Sequence, residues 1–514
     1  MHACLRQEDV PHRGRPELLT TAFAGVSGAL DGIASRAMLD ASWRAAERFE
    51  HDELLRQVDR MRALPACRQD AAACRQRRDE RDVLVAIGYL WRDDAEQALA
   101  LAGDVLARPL SPRMRMVLLT VIRYACWKMR RLDALYELSA PRLYRTRRGV
   151  WIPQVVNLSI EAAAEAEQLR LKLAERHARR AIELSERASG HDAKVALLSR
   201  CVLAAVTYEM GDMEQAQALL RSREAAIDQH GGADAVMWGR TTAFRLAMAQ
   251  GHRAQASRFV RMGIDTCRQK GWTRLAAYFA ALEIVAMLAD GRTELAGRAL
   301  ARAQQNGATT ARPVAGFDVD TWPLEAARLR IAFAIGDYTA AAAGFRLLGD
   351  WLRGRHLAVL AVRFAALAAG SLYRAGRKDD ACADMLCALE RGAAAGLFRT
   401  FVDELSIIGP CLQWIRSSRK NQLGHLHAYI NGILVTCEAG YSHDDARQTP
   451  DIVLSQREIG VLDLVSRGYS NKGAARELHI APETVKSHMK RIAVKLSTRT
   501  RAEAVACAKS MGMI

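Results

Sequence analysis

The sequence predicts an all-α chain, a long solenoid of helical hairpins followed by a small domain of four short helices. Three observations lead there. A glycine recurs five times at spacings of 40 to 45 residues, each time followed five positions later by an alanine. Apolar residues recur at helical spacing. Aromatics make up only 6% of the 514 residues while alanine is abundant, which suits helices packed at close range.

The recurring pairs are Gly211 with Ala216, Gly251 with Ala256, Gly291 with Ala296, Gly336 with Ala341 and Gly376 with Ala381. Glycine can adopt the left-handed conformation that ends one helix. The next helix then starts at once, and its alanine lets the two approach closely. Apolar residues before the glycines, such as Leu203, Val206 and Tyr208 or Ile331, Phe333 and Ile335, supply the buried face. One hairpin cannot bury that face alone, so the units must stack. Less regular units precede them around Asp93 and Ala98, Arg131 and Ala134, and Glu175 and Ala178, which extends the array back to about residue 80. The expected division is therefore an N-terminal helical region at 1–80, the array at 81–438, a linker at 439–450 and a C-terminal domain at 451–514. The Arg-rich stretch 74–81 reads as a solvated face or hinge. Gly440 to Pro450 is polar and turn-rich, the composition of a flexible linker.

The C-terminal helices announce themselves by their ends. Ser455 and Glu458 form a capping box for the first, which Gly468 ends. Ser470 caps the second, which carries Ala474, Ala475 and Leu478. After the turn at His479, Ile480 and Ala481, Pro482 opens the third, where its missing N–H is harmless. There Val485, Met489, Ile492 and Leu496 form one buried stripe. That phase turns Lys486, Ser487 and Lys490 outward, with Thr484 and Arg491 beside them. Two lysines four residues apart on one face repel unless an anion lies between them, and a major groove offers both phosphates and guanine acceptors. Thr500 and Glu503 form a second capping box, opening a fourth helix with Ala504, Val505, Ala508 and Met511 on one face and Gly512 at its end.

Charge agrees with this. The whole chain carries +17, with an isoelectric point near 9.6. An anionic partner is expected, nucleic acid first; the competing account is arginine scattered along the whole chain. In 451–514 there are eleven Lys/Arg against six Asp/Glu, and six of the eleven crowd into 486–501. Clustering, more than total charge, marks a nucleic-acid footprint.

Other classes are disfavoured. There is no G-x-x-x-x-G-K-[ST] phosphate cradle, G-x-S-x-G or H-E-x-x-H motif, so no enzyme and no cofactor are expected. Eleven cysteines lie far apart with no C-x-x-C pair, and Cys67 and Cys74 lack partners at a zinc spacing. His488 has no second ligand near it, so no metal site is expected. Residues 1–8 lack the apolar run of a signal peptide. The most apolar stretch, 356–373, is interrupted by Arg363 and reads as a buried repeat helix. A soluble cytoplasmic protein with no membrane partner is expected.

The C-terminal pattern resembles the LuxR family of helix-turn-helix domains over 454–514. Leu454, Ser455, Arg457 and Glu458, then Gly468, Ser470, Asn471 and Lys472, then Thr484 to His488, then Lys495 and Leu496 stand at the family's spacing. The resemblance implies a transcription regulator that binds double-stranded DNA as a homodimer, with RNA polymerase as a further partner. It implies that Lys486, Ser487 and Lys490 face bases. Thr484, His488, Arg491 and the segment Ser470, Asn471, Lys472 would then lie near the backbone, and the fourth helix would make the dimer contact. Gly473 and Ala481 depart from the family, which usually has a glutamate and a serine or threonine there. With Gly473 the capping box of the second helix is lost and a flexible residue enters it; with Ala481 the third helix starts without a side-chain cap, at a cost of about 1 kcal/mol.

The array resembles the tetratricopeptide-like sensor region of large LuxR-type regulators related to the maltose activator. The stretch Gly396 to Glu404 is similar to a segment that closes the array in that group. This resemblance implies a sensor for a small-molecule or protein effector. Those regulators usually carry an ATPase domain, for which this sequence has no phosphate cradle. Two alternatives stay open: a protein-interaction scaffold with a vestigial helix-turn-helix, and a sigma-like promoter reader.

Overall fold

The structure, a computed structural model, describes residues 36–63, 72–138, 151–190, 194–221, 223–306, 317, 321–419, 423–424, 426–440, 456–478, 480–495, 498 and 500–510. Among them every regular element is helical, as the sequence predicts. Residues 1–35, Cys67, the linker beyond Gly440, Ser455, His479, Leu496, Met511 and Gly512 lie outside the described residues, as do the side chains of Arg491 and Cys507.

The chain divides into two units, after Ile122. In the first, the helix at 36–47 pairs with His51–Ala63, and Ala72–Trp91 pairs with Ala95–Leu106. Leu39, Leu54, Val58, Met61, Leu84 and Val85 form its core. The Arg-rich stretch 74–81 is neither a hinge nor a fully solvated face. It lies inside the helix Ala72–Trp91, with Cys74 and Glu80 buried. A domain boundary at residue 80 would cut that helix.

The second unit continues the hairpins. Its pairs are Trp151–Glu167 with Leu171–Ser189, Leu197–Glu209 with Met213–Leu220, Ala233–Ala249 with Arg253–Lys270, Thr273–Ala289 with Thr293–Asn306, Trp322–Ala334 with Tyr338–Gly354, and Ala358–Arg374 with Lys378–Ala395. All five signature glycines have positive φ, from 71° to 92°. The alanine five positions after each is fully buried. Asp212 and Asp337, next to their glycines, then cap the second helix by accepting from Gln215 N at 3.0 Å and Ala340 N at 3.1 Å.

The irregular units keep the geometry and change the residue. Phe49, Asp93, Arg130 and Leu169 all have φ between 56° and 68°, where the later repeats have glycine. Five positions on stand Leu54, Ala98, Leu135 and Ala174, all fully buried. This corrects the register read from the sequence. The second and third irregular units turn on Arg130 and Leu169, so Leu135 and Ala174 are the equivalents of the signature alanines, not Ala134 and Ala178. It also makes the helices at 36–47 and His51–Ala63 a hairpin of the same type. Ile335 is a further correction, being 68% exposed. It falls on the last residue before the left-handed turn, where the helical phase no longer points inward.

The stacked hairpins close on themselves within the second unit. The helix Trp151–Glu167 touches Ala358–Arg374, some two hundred residues later. The segment that follows Gly396 plugs this closure. Its short helix Arg399–Val402 contacts Leu197–Glu209, Ala358–Arg374, Leu405–Ser418 and Leu426–Gly440. Phe398 N donates to Glu209 O at 2.8 Å. Two glycines make room for it. A Cβ on Gly211 would sit 3.1 Å from the Phe398 ring, and one on Gly392 would sit 2.4 Å from the buried Phe401 ring.

An ion-pair cluster holds the plug. Arg330 grips Glu404 at 2.6 and 2.7 Å, Arg399 pairs with Asp403 at 2.6 Å, and Arg245 reaches Asp403 at 2.9 Å and also pairs with Glu209. Tyr208 donates to Asp403 at 3.0 Å, and its ring lies under both Arg245 and Arg399. Burial pushes the Tyr208 phenol far above its ordinary pKa. Arg363, which breaks the apolar run at 356–373, belongs to this cluster through Glu209 at 3.4 Å. Among the described residues no helix is long and apolar enough to cross a membrane.

Candidate nucleic-acid interface

The C-terminal domain is four helices, Gln456–Ser466, Asn471–Glu477, Pro482–Lys495 and Arg501–Ser510. They share one core of Val461, Leu462, Val465, Ala474, Ala475, Val485, Ile492, Ala504 and Ala508, with Met489, Leu478 and Val505 packed against it. The first helix ends at Gly468, whose φ of 87° is the left-handed stop that the sequence predicts. The second begins at Ser470, whose Oγ accepts from Gly473 N at 3.1 Å. The cap therefore survives although the glutamate of a full capping box is missing. The fourth helix has both halves of its box. Glu503 N donates to Thr500 Oγ1 at 3.2 Å, and Thr500 N to Glu503 Oε2 at 3.3 Å.

The third helix carries the candidate site. Val485 and Ile492 are fully buried, which fixes the rotation of the helix. Thr484, Lys486, Ser487 and Lys490 are all exposed on the opposite side. His488 is half-buried at the edge of the core. Lys486 Nζ lies 3.8 Å from Glu483 Oε2, with both side chains more than two-thirds exposed; such a pair contributes about 0–1 kcal/mol and yields readily to a phosphate. Lys490 has no carboxylate within ion-pair distance among the described residues. Ser487 Oγ donates to Glu483 O at 3.0 Å, so its hydroxyl hydrogen is spent within the helix while the exposed oxygen can still accept.

The second cluster, Ser470, Asn471 and Lys472, sits where the second helix begins. Asn471 is half-buried and Lys472 exposed. What fixes this corner is a residue from outside it. Arg501, from the start of the fourth helix, donates to Asn471 Oδ1 at 3.0 Å and to Tyr469 O. Glu483 stands on the same exposed face as Lys486. Nothing local in the sequence links Arg501 to Asn471, since thirty residues separate them. Among the described residues no cluster of His, Cys, Asp and Glu could hold a metal ion.

An exposed cationic face on a helix seated in the core can bind an anion. Comparison with known proteins points the same way. Residues 452–508 match the family described as bacterial regulatory proteins, luxR family. Residues 138–410 match the MalT-like TPR region. The HTH-type transcriptional regulator MalT of Vibrio cholerae serotype O1 is 30% identical over 149 residues, 26% of this chain but only 16% of that protein. The crystal structure of Rap protein complexed with competence and sporulation factor covers 71% of this chain and 99% of its own, with a TM-score of 0.50 and 10% identity. At that identity the likeness concerns the fold alone.

Proposed function

We propose, since this chain belongs to the family of the MalT-like TPR region and carries a luxR-family regulatory domain, that it is a DNA-binding transcription regulator whose array senses an effector. The observation that carries the DNA-binding half is the seating of the third C-terminal helix. Its apolar stripe is clamped in the core, so Lys486, Ser487 and Lys490 have one fixed outward presentation. A helix so presented fits a major groove, with the lysines on phosphates or guanine acceptors and Ser487 accepting from a base. Thr484, His488 and Arg491, with Ser470, Asn471 and Lys472, would take the flanking backbone.

The sensing half is supported by connectivity. The plug at 397–404 ties the array shut and leads, through Leu405–Ser418 and Leu426–Gly440, to the DNA-binding domain. An effector that binds the closed and open arrays differently would change what the tail can do. The exposed side of the fourth helix, with Arg501, Ala502 and Glu503, is the surface we assign to dimer formation on DNA. RNA polymerase is the further partner of such a regulator.

The test is a titration of the full-length chain against pooled genomic fragments at two salt concentrations, beside Lys486→Ala/Lys490→Ala. Selective, salt-sensitive binding that the double variant loses supports the reading. Unselective binding, equal in both proteins, refutes it and favours an interaction scaffold.

A further inference from the structure

Around the plug, among the described residues, four arginines meet three carboxylates in one largely buried cluster: Arg245, Arg330, Arg363 and Arg399, of which only Arg399 is fully buried, against Glu209, Asp403 and Glu404. Arginine keeps its charge in a protein interior, so one positive charge is left over. The distances show where. Glu404 is held by Arg330 at 2.6 and 2.7 Å, and Asp403 by Arg399 and Arg245 at 2.6 and 2.9 Å. Glu209 gives Oε2 to Thr400 at 2.8 Å and shares Oε1 between Arg245 and Arg363.

Arg363 is therefore the least satisfied. Its Nη2 is 3.4 Å from Glu209, and its Nε is 3.9 Å from Glu404, beyond hydrogen-bond reach. Buried Arg363 Nε and buried Arg245 Nη2 both lack a protein acceptor among the described residues. The two guanidiniums converge on one oxygen, Glu209 Oε1, so the unused donors lie on neighbouring cations. Surplus buried charge and unused planar donors are what a carboxylate or phosphate group satisfies, by bidentate charge-assisted hydrogen bonds.

We propose that Arg363 and Arg245 bind a small oxyanion, a carboxylate or a phosphate group, at the seam that closes the array. Binding there neutralises the surplus charge and favours the closed arrangement, because the same Glu209 that orients both arginines also holds Thr400 of the plug. The oxyanion is thus the chemical class of the effector. That last step rests on the sensing role proposed above, whereas the binding site itself does not.

The experiment is calorimetric titration of the full-length chain with inorganic phosphate and, separately, with acetate, at fixed ionic strength. Arg363→Gln and Lys486→Ala/Lys490→Ala are run beside it, with Arg363→Lys as a milder variant that keeps the charge but loses the planar fork. Saturable one-to-one binding is expected in the wild type and in the lysine double variant, at least tenfold weaker in either Arg363 variant. Saturation by only one of the two anions supports the site and identifies its ligand. No saturable binding of either anion to wild type overturns the proposal, as does binding that survives in the Arg363 variants but is lost in the lysine variant. A DNA titration with and without the bound anion then separates the two readings. An anion that binds without altering DNA affinity leaves the site standing and removes its regulatory role.

Discussion

The hydroxyl of Thr400 donates to Glu209 Oε2 at 2.8 Å across 191 residues of chain, and both side chains are buried. This bond joins the plug to the second helical pair of the closed array. Glu209 also receives Arg245 and Arg363, so its negative charge is the anchor of the cluster. Glu209→Gln keeps an acceptor for Thr400 but leaves two largely buried guanidiniums facing a neutral amide. The expected cost is about 3–5 kcal/mol, read from urea denaturation of the full chain. Removing Glu294, whose pairing with Arg298 is largely exposed, should change stability by under about 1 kcal/mol in the same assay.

The same cluster sets an acid limit. Burial pushes the carboxyls of Glu209 and Asp403 upward, but the arginines outweigh it, Arg245 foremost at Glu209 and Arg399 at Asp403, and both carboxyls stay below their ordinary pKa. A carboxyl depressed in the folded state stabilises the fold above its unfolded pKa of about 4. That contribution is lost as pH falls through the folded value. Thermal unfolding should therefore be insensitive to these groups near neutrality and decline below about pH 4. The decline should be shallower in Glu209→Gln; equal slopes in the two proteins would assign the acid sensitivity to other carboxyls.

Leu169 holds a left-handed turn with φ of 68°, where the later repeats have glycine. A branched side chain there costs about 1–2 kcal/mol relative to a residue free of Cβ, offset in part by the entropy that glycine adds to the unfolded chain. Leu169→Gly should raise stability by about 0.5–1 kcal/mol, measured as a higher denaturation midpoint at unchanged slope. A lower midpoint would mean that the Leu169 side chain contributes more by packing than it costs in backbone strain.

These turns also show how far the sequence speaks. The glycine–alanine repeat was legible because Gly211 through Gly376 advertise the left-handed turn by their residue type. The earlier hairpins make the same turn with Phe49, Asp93, Arg130 and Leu169, residue types that give no local sign of a left-handed turn, so neither their register nor the first hairpin is legible in the sequence. The C-terminal domain was legible because its caps and stripe are local: Ser470 with Gly473, Thr500 with Glu503, Val485 with Ile492. The contact of Arg501 with Asn471 and the arginine–carboxylate cluster are not local. The partners of Glu209 lie 36 to 191 residues away, and no periodicity records such a meeting.

Gly473 sits in the first turn of the second C-terminal helix. A Cβ there would meet Tyr469 Cδ1 at 3.2 Å and Ser470 Oγ at 3.6 Å. Tyr469 is 40% exposed and can shift. Gly473→Glu removes the entropic cost of glycine and supplies the missing half of the capping box, together about 1 kcal/mol. Slower amide exchange at Ala474 and Ala475 is the expected sign. Unchanged or faster exchange would show that the Tyr469 contact does not give way.

Lys486 and Lys490 allow the DNA reading to be tested by slope as well as by affinity. If both lysines lie on phosphates, Lys486→Ala/Lys490→Ala releases two fewer counterions. The plot of log K against log salt should then flatten by about 2, with affinity lost on all sequences alike. If they contact guanine, the slope should change less and discrimination between sites should fall, each lost contact costing about 1–3 kcal/mol. Arg501→Ala provides the contrast. It removes the tether on Asn471 and Tyr469 O without touching the exposed lysine face, so it should weaken binding while leaving most of the slope in place. A slope loss from Arg501→Ala equal to that of the lysine pair would make Arg501 a phosphate contact in its own right, and the footprint would then extend across the start of the fourth helix.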